Sequence, residues 1–353
     1  MTEVLRGEGG TPSPRNAFWS VSRFGLHPRG GRVYSGGMFE KILAFYTRCF
    51  ALWVILAGLA AYAWPAPLAS LDRRFVNCVF ALTMFGIGAV LQADDFRRIL
   101  HRPGIVVIGT ITQYTLMPLV AYAIVNVFDL DPQIAVGLIL TASAPGAMSS
   151  SVVSYIAKAD LAYSVSLTTV STLLAPLATP GLTYLLARRE LEVPVRNMLV
   201  EVVLLVIVPL FIGFAVRHFF ARRVERISAI FPAISVTFIV LVCARTIAAN
   251  RDSLLGMTGM LVAIGLLMNV LGLIGGYAIA WISRMDVPQR RSLAIEGGMQ
   301  NAGLGAVLAS EHFSDKAAMP AAVFVFVCII TASLLAAYWQ RTGRRSAVPQ
   351  AVG

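Results

Sequence analysis

Long apolar stretches follow one another along most of this chain, and each is about as long as a helix that crosses a lipid bilayer. Such a crossing needs roughly 20 mostly apolar residues. From residue 38 onward, short polar connections separate ten windows of this kind: 44–64, 75–92, 104–128, 134–157, 162–187, 196–217, 229–249, 254–283, 288–312 and 317–340. The sequence therefore predicts an all-α polytopic membrane protein with ten transmembrane helices.

The composition supports this class of protein and excludes several others. Only 13% of the residues are charged and 57% are hydrophobic, whereas soluble domains carry about 25% charged residues. An ordinary cytosolic enzyme, a nucleic-acid-binding protein and a disordered scaffold are excluded. The net charge of +11 comes largely from Arg clusters between the apolar windows, which is typical of membrane topology. The four cysteines are scattered without a CxxC pair, so they indicate neither a disulfide framework nor a metal site.

The distribution of Lys and Arg predicts the orientation of the helices. If the chain enters the first window from the cytoplasm, the inner loops and the C-terminal tail hold fourteen Lys and Arg residues, and the outer loops hold seven. This bias predicts a multi-pass protein of the plasma (inner) membrane with both termini in the cytoplasm. Residues 1–37 are predicted to be a disordered cytoplasmic tail, or a segment that precedes a true start at Met38. Residues 342–353 are predicted to be a second cytoplasmic tail.

The fourth and ninth windows are interrupted near their midpoints by Gly, small polar residues or Pro, at 144–151 and 296–303. Such residues free backbone groups from the helical ladder, which a membrane tolerates only where those groups are buried or line a cavity. Two interrupted segments, one in each half of a chain, point to the binding site of a transporter. The halves also share a short match between 171–175 and 332–336. Five helices per half predict an inverted repeat, with one unit at about 38–190 and the other at about 191–341.

Glu296 is the carboxylate of the second interruption, and it lies deep in an apolar window. An ionisable group in lipid costs about 3 kcal/mol or more and is a functional hypothesis by default. No nearby Lys or Arg of the same span is placed to pair with it, whereas a metal cation could. Hydroxyls and amides elsewhere in the windows would complete an all-oxygen shell, as a sodium ion prefers. The alternatives are a Glu with a buried structural partner and a Glu that reaches water at the membrane boundary.

Four stretches of the chain resemble the bile acid:sodium symporter family, at 109–118, 155–172, 295–304 and 333–339. The third stretch contains Glu-Gly-Gly-Met-Gln-Asn-Ala-Gly-Leu, close to the E-x-G-M-Q-N-x-G-L signature of that family. The resemblance covers about residues 42–341. It implies ten helices in two inverted five-helix repeats, with two broken helices that cross in a core domain beside a panel domain.

The resemblance also implies a symporter that imports an organic anion by alternating access together with two sodium ions. Sodium site one would consist of Ser150, Ser151, Ser164, Thr168 and Glu296. Sodium site two would consist of the Gln113 side chain, Glu296 and the backbone carbonyls of Gly297, Met299 and Gln300. The substrate would bind at Met148, Ser149, Asn301 and Ala302, near the ends of the half-helices that follow the breaks. Free N–H groups at such ends suit a carboxylate.

Three departures from the family pattern bear on this site. Ser151 stands where relatives have a longer amide, which predicts a weaker or differently shaped first sodium site. Met148 stands where relatives have a hydroxyl that touches the substrate, and residues 327–329 are Val-Cys-Ile where relatives often have Trp-His-Asn. These changes predict an anion that is smaller or more apolar than a bile acid.

The sequence leaves other functions open. An exporter of arsenite or another small solute, with a related fold, would need a thiol near the first break, and no Cys lies close to 145–151. An intramembrane hydrolase would need a catalytic partner for Glu296. A sensor would bind its ligand with little transport. Neither the identity of the anion nor the oligomeric state is predicted.

Other polar residues have structural interpretations. Arg245, near the end of its window, is expected to snorkel to the outer surface or to draw anions towards the site. Asn269 is expected to form an interhelical hydrogen bond, and the glycines at 272–276 are expected to allow close helix packing. Asp94 and Asp95 are predicted to be solvated loop charges. The four His residues suggest no metal or proton-relay cluster.

Overall fold

The structure is a computed structural model that describes residues 38–92, 95, 103–147 and 149–345. Apart from one isolated backbone bridge, the regular structure of these residues is helical. The helices are α1 (Met38–Arg48), α2 (Phe50–Ala63), α3 (Pro65–Ala69), α4 (Arg73–Val90), α5 (Pro103–Phe128), α6 (Pro132–Ala142), α7 (Ser150–Ile156), α8 (Leu161–Ala187), α9 (Val195–Val202), α10 (Val208–Ile227), α11 (Ile230–Ala249), α12 (Arg251–Ile282), α13 (Val287–Gly298), α14 (Ala302–His312) and α15 (Met319–Arg345). A π-helical turn, Val203–Ile207, joins α9 to α10. The predicted N-terminal tail and residues 346–353 lie outside the described residues.

Among the described residues, seven helical segments are long and apolar enough to cross a membrane, by length and composition. They are Arg73–Val90, Pro103–Phe128, Leu161–Ala187, Val195–Ile227, Ile230–Ala249, Gly256–Ile282 and Met319–Gln340. The other three predicted windows contain only shorter helices, because the first holds α2 and the fourth and ninth are each divided in two. The chain is therefore a helical, multi-pass membrane protein, as predicted.

Both divided windows are interrupted where the sequence predicts it. The first interruption separates α6 from α7, and it contains Pro145, which has no backbone N–H to continue a helix. The second separates α13 from α14, where the Asn301 side chain accepts a hydrogen bond from the Leu304 N–H (3.1 Å) and so caps the new helix. Each interruption therefore has a local chemical cause.

The helices pack in two sets. One set, termed the four-helix group, consists of α2, α4, α11 and the helical segment 195–227, which pack against one another. The other set, termed the crossover bundle, contains both interruptions and consists of α5, α6, α7, α8, α12, α13, α14 and α15. The site predicted from the sequence lies within the crossover bundle.

Close packing at glycines brings α12 against α13. A Cβ atom on Gly272 would lie 2.5 Å from the Gly297 carbonyl oxygen, and one on Gly276 would lie 2.5 Å from the Leu293 carbonyl oxygen. Asn269, on the same helix, donates to the Gly298 carbonyl oxygen at 2.7 Å. The predicted interhelical hydrogen bond and glycine packing are both confirmed, and both act on the end of α13.

Contacts between loops identify the two ends of the crossover bundle. Near the start of α13, the Asp160 N–H donates to the Pro288 carbonyl oxygen (3.1 Å), and Arg291 donates to the Ala157 carbonyl oxygen (3.0 Å). This is termed the Asp160 end. The helices α13 and α14 run from there to the opposite side, where the loop after His312 contains Asp315. That side is termed the Asp315 end.

Two expectations about charged residues are wrong. Arg245 does not snorkel, because its side chain is only 8% exposed and its Nη1 lies 2.8 Å from the Asp315 carboxylate. The sequence shows no partner for Arg245 near it in the chain. In the structure, the carboxylate of Asp315 on a distant loop neutralises its charge. Asp95 is not a solvated charge, since it is buried and its Oδ2 accepts a hydrogen bond from the Gln92 N–H at 2.9 Å. Asp94 lies outside the described residues.

Candidate functional site

The two interruptions meet through their backbones. The Ala147 N–H donates to the Met299 carbonyl oxygen (3.0 Å), and the Asn301 N–H donates to the Pro145 carbonyl oxygen (2.8 Å). These reciprocal bonds form the antiparallel bridge between Gly146 and Gln300. They give partners to backbone groups that the breaks release from the helices, and such groups are costly in lipid. The breaks are therefore fixed against each other.

Glu296 lies in the last turn of α13, beside this bridge, and it is completely buried. Its Oε1 accepts hydrogen bonds from the Ser150 hydroxyl (2.6 Å) and the Ser164 hydroxyl (2.5 Å). The Thr168 hydroxyl lies 3.1 and 3.0 Å from the two carboxylate oxygens. No Lys, Arg or His among the described residues forms an ion pair with Glu296. A buried carboxylate thus has hydroxyl donors and no positive partner.

The approach of the first break to this carboxylate depends on Gly146. A Cβ atom at that position would lie 2.5 Å from Glu296 Oε2 and 3.8 Å from Thr168 Oγ1. Ser151, the remaining member of predicted site one, is also buried. Its hydroxyl is not among the hydrogen-bond partners of Glu296 that the structure describes. The structure therefore brings four of the five residues of predicted site one into direct contact.

The residues of predicted site two form a second polar cluster at the end of α13. Gln113 and Gln300 are buried, and their side-chain amides meet at 2.6 Å. In the alternative orientation of its amide, Gln113 donates to the Glu296 carbonyl oxygen at 3.2 Å. Gln300 Nε2 donates to the Gly297 carbonyl oxygen at 3.4 Å. The Met299 carbonyl oxygen already accepts from the first break.

Ser171 is a residue of this region that the sequence interpretation missed. Its hydroxyl donates to the Thr168 carbonyl oxygen (3.0 Å) and accepts from the Gly146 N–H (3.4 Å). The Tyr114 hydroxyl donates to the Ser171 carbonyl oxygen at 2.5 Å. Ser171 therefore ties the first break to α8 and α5. The sequence pattern that could have identified Ser171 is its helical spacing from Ser164 and Thr168, which places the three hydroxyls on one face of a helix.

The predicted substrate residues flank the crossing. Asn301 is half-buried and its amide oxygen is used as the cap of α14, which leaves its Nδ2 to donate. Ser149 is exposed, whereas Ala302 is buried. Met148 lies outside the described residues. Of the three described members of this set, Ser149 and Asn301 are therefore those that a solute can reach.

A model of the sodium bile acid symporter family matches residues 78–257, about half of the chain. The chain belongs to this family. It is also similar to an uncharacterized sodium-dependent transporter of Bacillus subtilis, with 37% identity over 302 residues, which cover 86% of this chain and 94% of the relative.

Two plant proteins show the same relationship at lower identity. A probable chloroplastic sodium/metabolite cotransporter of Oryza sativa is 33% identical over 306 residues, which cover 86% of this chain and 73% of the relative. Another, from Arabidopsis thaliana, is 32% identical over 332 residues, which cover 91% and 83% respectively. As a member of the sodium bile acid symporter family, this chain is a sodium-dependent transporter, and sodium is the ion that it co-transports. The relatives are named as transporters and not as enzymes.

Proposed function

We propose that this chain is a symporter that imports a small organic anion together with sodium by alternating access. The observation that carries the proposal is Glu296, a buried carboxylate with three hydroxyl partners and no positive partner among the described residues. A buried charge is costly unless it is paired. Oxygen ligands of this kind suit a hard cation, and the sodium-dependent relatives supply the identity of that cation.

Two sodium ions would bind, one on each side of the Glu296 carboxyl group. Each hydroxyl beside it has lone pairs as well as a proton, so Ser150, Ser164 and Thr168 can turn from donating to coordinating an ion, with Ser151 adjacent. The second ion would be held by Gln113, Glu296 and the carbonyl oxygens of Gly297, Met299 and Gln300. The clustering of these groups at the end of α13 supports this assignment.

The anion would bind where Met148, Ser149, Asn301 and Ala302 flank the crossing. The N-terminal end of α14 offers a positive dipole to a carboxylate, and the Asn301 Nδ2 can donate a hydrogen bond to it. Sodium bound nearby would increase the local positive potential, which couples binding of the anion to binding of the ion. Val327 and Cys328 are buried apolar residues, in keeping with an anion smaller or more apolar than a bile acid. The relatives named as sodium/metabolite cotransporters support a metabolite of this class.

The proposed architecture has ten crossings in two inverted repeats, at about 38–190 and 191–341. The crossover bundle would be the core domain and the four-helix group the panel domain. Both termini would lie in the cytoplasm, so the Asp160 end would face inward and the Asp315 end outward across the plasma membrane. Transport would proceed by movement of one set of helices against the other around the crossing.

The test combines ligand binding with transport. Purified protein is screened with small carboxylates, with sodium or potassium as the cation, and its thermal unfolding is measured. We expect the transported anion to raise the unfolding temperature strongly only when sodium is present, because ligands that bind the native state together stabilise it together. The same anion should then enter proteoliposomes down a sodium gradient. Uptake that is unchanged when potassium replaces sodium would contradict the proposal, and net efflux would favour the exporter.

A further inference from the structure

Asp315 joins the two sets of helices at one end of the molecule. It lies in the loop that precedes α15 of the crossover bundle, and its carboxylate is 2.8 Å from Nη1 of Arg245 and 3.5 Å from Nη2 of Arg73. Both arginines belong to the four-helix group, on α11 and α4. Asn250, just after α11, donates to the Asp315 backbone oxygen at 2.8 Å. Two arginines of one set and the residue that joins α11 to α12 therefore converge on one residue of the other set.

The pair between Arg245 and Asp315 is more than a surface contact. The exposed fractions of the two side chains are 8% and 27%, and Arg245 Nε also donates to the Leu71 carbonyl oxygen at 3.3 Å. Exposed ion pairs contribute little to stability, whereas removal of one partner of a buried pair leaves a charge without compensation. The contact therefore favours the arrangement in which the two sets are together, and removal of either charge leaves the other without compensation in that arrangement.

A second polar contact lies at the same end. His312, the last residue of α14, approaches Glu201 of the four-helix group, with 2.5 Å between Nε2 and Oε2. The other oxygen of Glu201 accepts a hydrogen bond from Asn77 of α4 at 3.4 Å. Both side chains of this pair are largely buried. His312 and Glu201 are thus a second place at the Asp315 end where polar side chains of the two sets meet.

Apolar contacts between the sets lie on the same side of the breaks. Cys243 on α11 is buried, and its Sγ is 3.9 Å from the Ala322 carbonyl oxygen near the start of α15. A Cβ atom on Gly303, at the start of α14, would lie 2.6 Å from Phe238 of α11. The half-helices on the Asp160 side, α7 and α13, pack mainly against α5, α8, α12 and α15 of their own bundle. The two sets are therefore held together towards the Asp315 end.

We propose that Asp315, with Arg245 and Arg73, is the gate that closes the crossing from the Asp315 end. These are positioning residues: they hold the crossover bundle against the four-helix group, and their separation exposes the crossing to that side of the membrane. The inference rests on the proposed alternating-access transport, and it adds the residues that control one of its two openings.

Cys243 provides a native reporter for this gate. It lies two residues from Arg245 on α11, inside the contact between the sets. In a variant that retains Cys243 as its only cysteine (Cys49→Ala, Cys78→Ala, Cys328→Ala), a membrane-impermeant maleimide is added to one side of the membrane at a time. We expect Asp315→Asn to raise the labelling rate from the Asp315 side by about tenfold. Arg245→Gln should do the same, and the double variant should show no further increase, because both substitutions remove one contact.

The adjacent pair between Lys316 and Asp131 is the matched control. Its atoms are 2.9 Å apart, but both residues lie in loops of the crossover bundle. The hydrogen bond from Lys316 lowers the pKa of the Asp131 carboxyl. Lys316→Gln should leave labelling unchanged, since it does not touch the four-helix group.

Equal labelling of Cys243 with and without Asp315→Asn would overturn the gate, as would an equal increase in Lys316→Gln. If Asp315→Asn does not fold, Arg73→Gln is tested instead, because the Arg73 side chain is 41% exposed and its removal disturbs the fold less. The labelling rate of Cys243 should then rise by a smaller factor, and an unchanged rate would overturn the gate. Labelling requires neither sodium nor substrate. Absence of sodium-driven uptake would therefore contradict the proposed function, whereas the labelling experiment would still test the gate.

Discussion

Glu296 concentrates the chemistry of the site in one carboxylate, since three hydroxyls face it and no described cation does. We expect Glu296→Gln to abolish stabilisation by sodium, because the amide keeps the size of the side chain and loses its charge. At a sodium concentration 100 times the Kd, the native protein should gain about 2.7 kcal/mol in the free energy of unfolding, and the variant none. Thermal unfolding in sodium and potassium chloride at equal ionic strength measures the difference.

The control for this experiment is Glu311→Gln. Glu311 is an exposed glutamate near the end of α14, so the same change in charge is made away from the crossing. It should retain the full response to sodium. A Glu296→Gln protein that responds like the native chain would remove this carboxylate from the sodium sites.

Gly146 is the second residue on which the site depends. In Gly146→Ala the added methyl group would lie 2.5 Å from Glu296 Oε2, and relief of such a contact costs about 1–3 kcal/mol. We expect a corresponding loss of sodium affinity, about 5- to 150-fold, measured as the sodium dependence of the unfolding temperature. Gly181→Ala is the matched substitution, because a Cβ atom there meets nothing within 4 Å. It should leave the response to sodium unchanged, and an equal loss in both variants would contradict the steric argument.

At the scale of elements, Asn269 positions the end of α13. Asn269→Ala removes the hydrogen bond to the Gly298 carbonyl oxygen, and such bonds between helices in membranes are worth about 0.6–1.7 kcal/mol. We expect the free energy of unfolding to fall by this amount and the response to sodium to weaken as well, because α13 carries Glu296. Both are measured by thermal unfolding with and without sodium.

Asn126→Ala is the control. It tests whether the loss of stability and of the sodium response is specific to Asn269 or follows from removal of an asparagine elsewhere. Asn126 is exposed on α5 and donates to the Tyr122 carbonyl oxygen of its own helix. Its removal should change stability by less than about 0.5 kcal/mol, as is usual for surface substitutions. A response to sodium that is intact in Asn269→Ala would mean that the hydrogen bond stabilises α13 without positioning the site.

The sequence predicts helices and breaks well because these depend on neighbouring residues. Apolar windows locate the helices, and Pro145 and the glycines at 297 and 298 locate the two interruptions. Pairing between the breaks is different, since Gly146 and Gln300 are far apart in the chain. The family resemblance implied that the broken helices cross, whereas the local sequence does not predict the backbone bridge between these two residues. The signature around Glu296 suggested which residues share the site, but it contained no information on Ser171.

At the scale of the whole molecule, the sequence is least informative about how the two sets of helices meet. Arg245 has an apolar neighbourhood along the chain, which predicts snorkelling, and its partner Asp315 belongs to a loop 70 residues later. Charge patterns along a sequence report which loops are basic, whereas pairing across the molecule depends on tertiary structure. The ten crossings and the inverted repeat stay predictions, because the part of the chain that the structure describes contains seven helices long and apolar enough to span a membrane alone.

The number of sodium ions per cycle determines whether the whole molecule moves net charge. Two sodium ions with a monovalent anion transfer one positive charge, and 100 mV, negative inside, contributes about 2.3 kcal/mol per charge. Because 1.4 kcal/mol is a tenfold change in an equilibrium, we expect accumulation of the anion to rise about 50-fold. Uptake is measured in proteoliposomes at a fixed sodium gradient, with potassium diffusion potentials set by valinomycin and equal potassium on both sides as the control. With a monovalent anion, a single sodium ion would make the cycle electroneutral, so accumulation of such an anion that ignores the potential would contradict two ions per cycle.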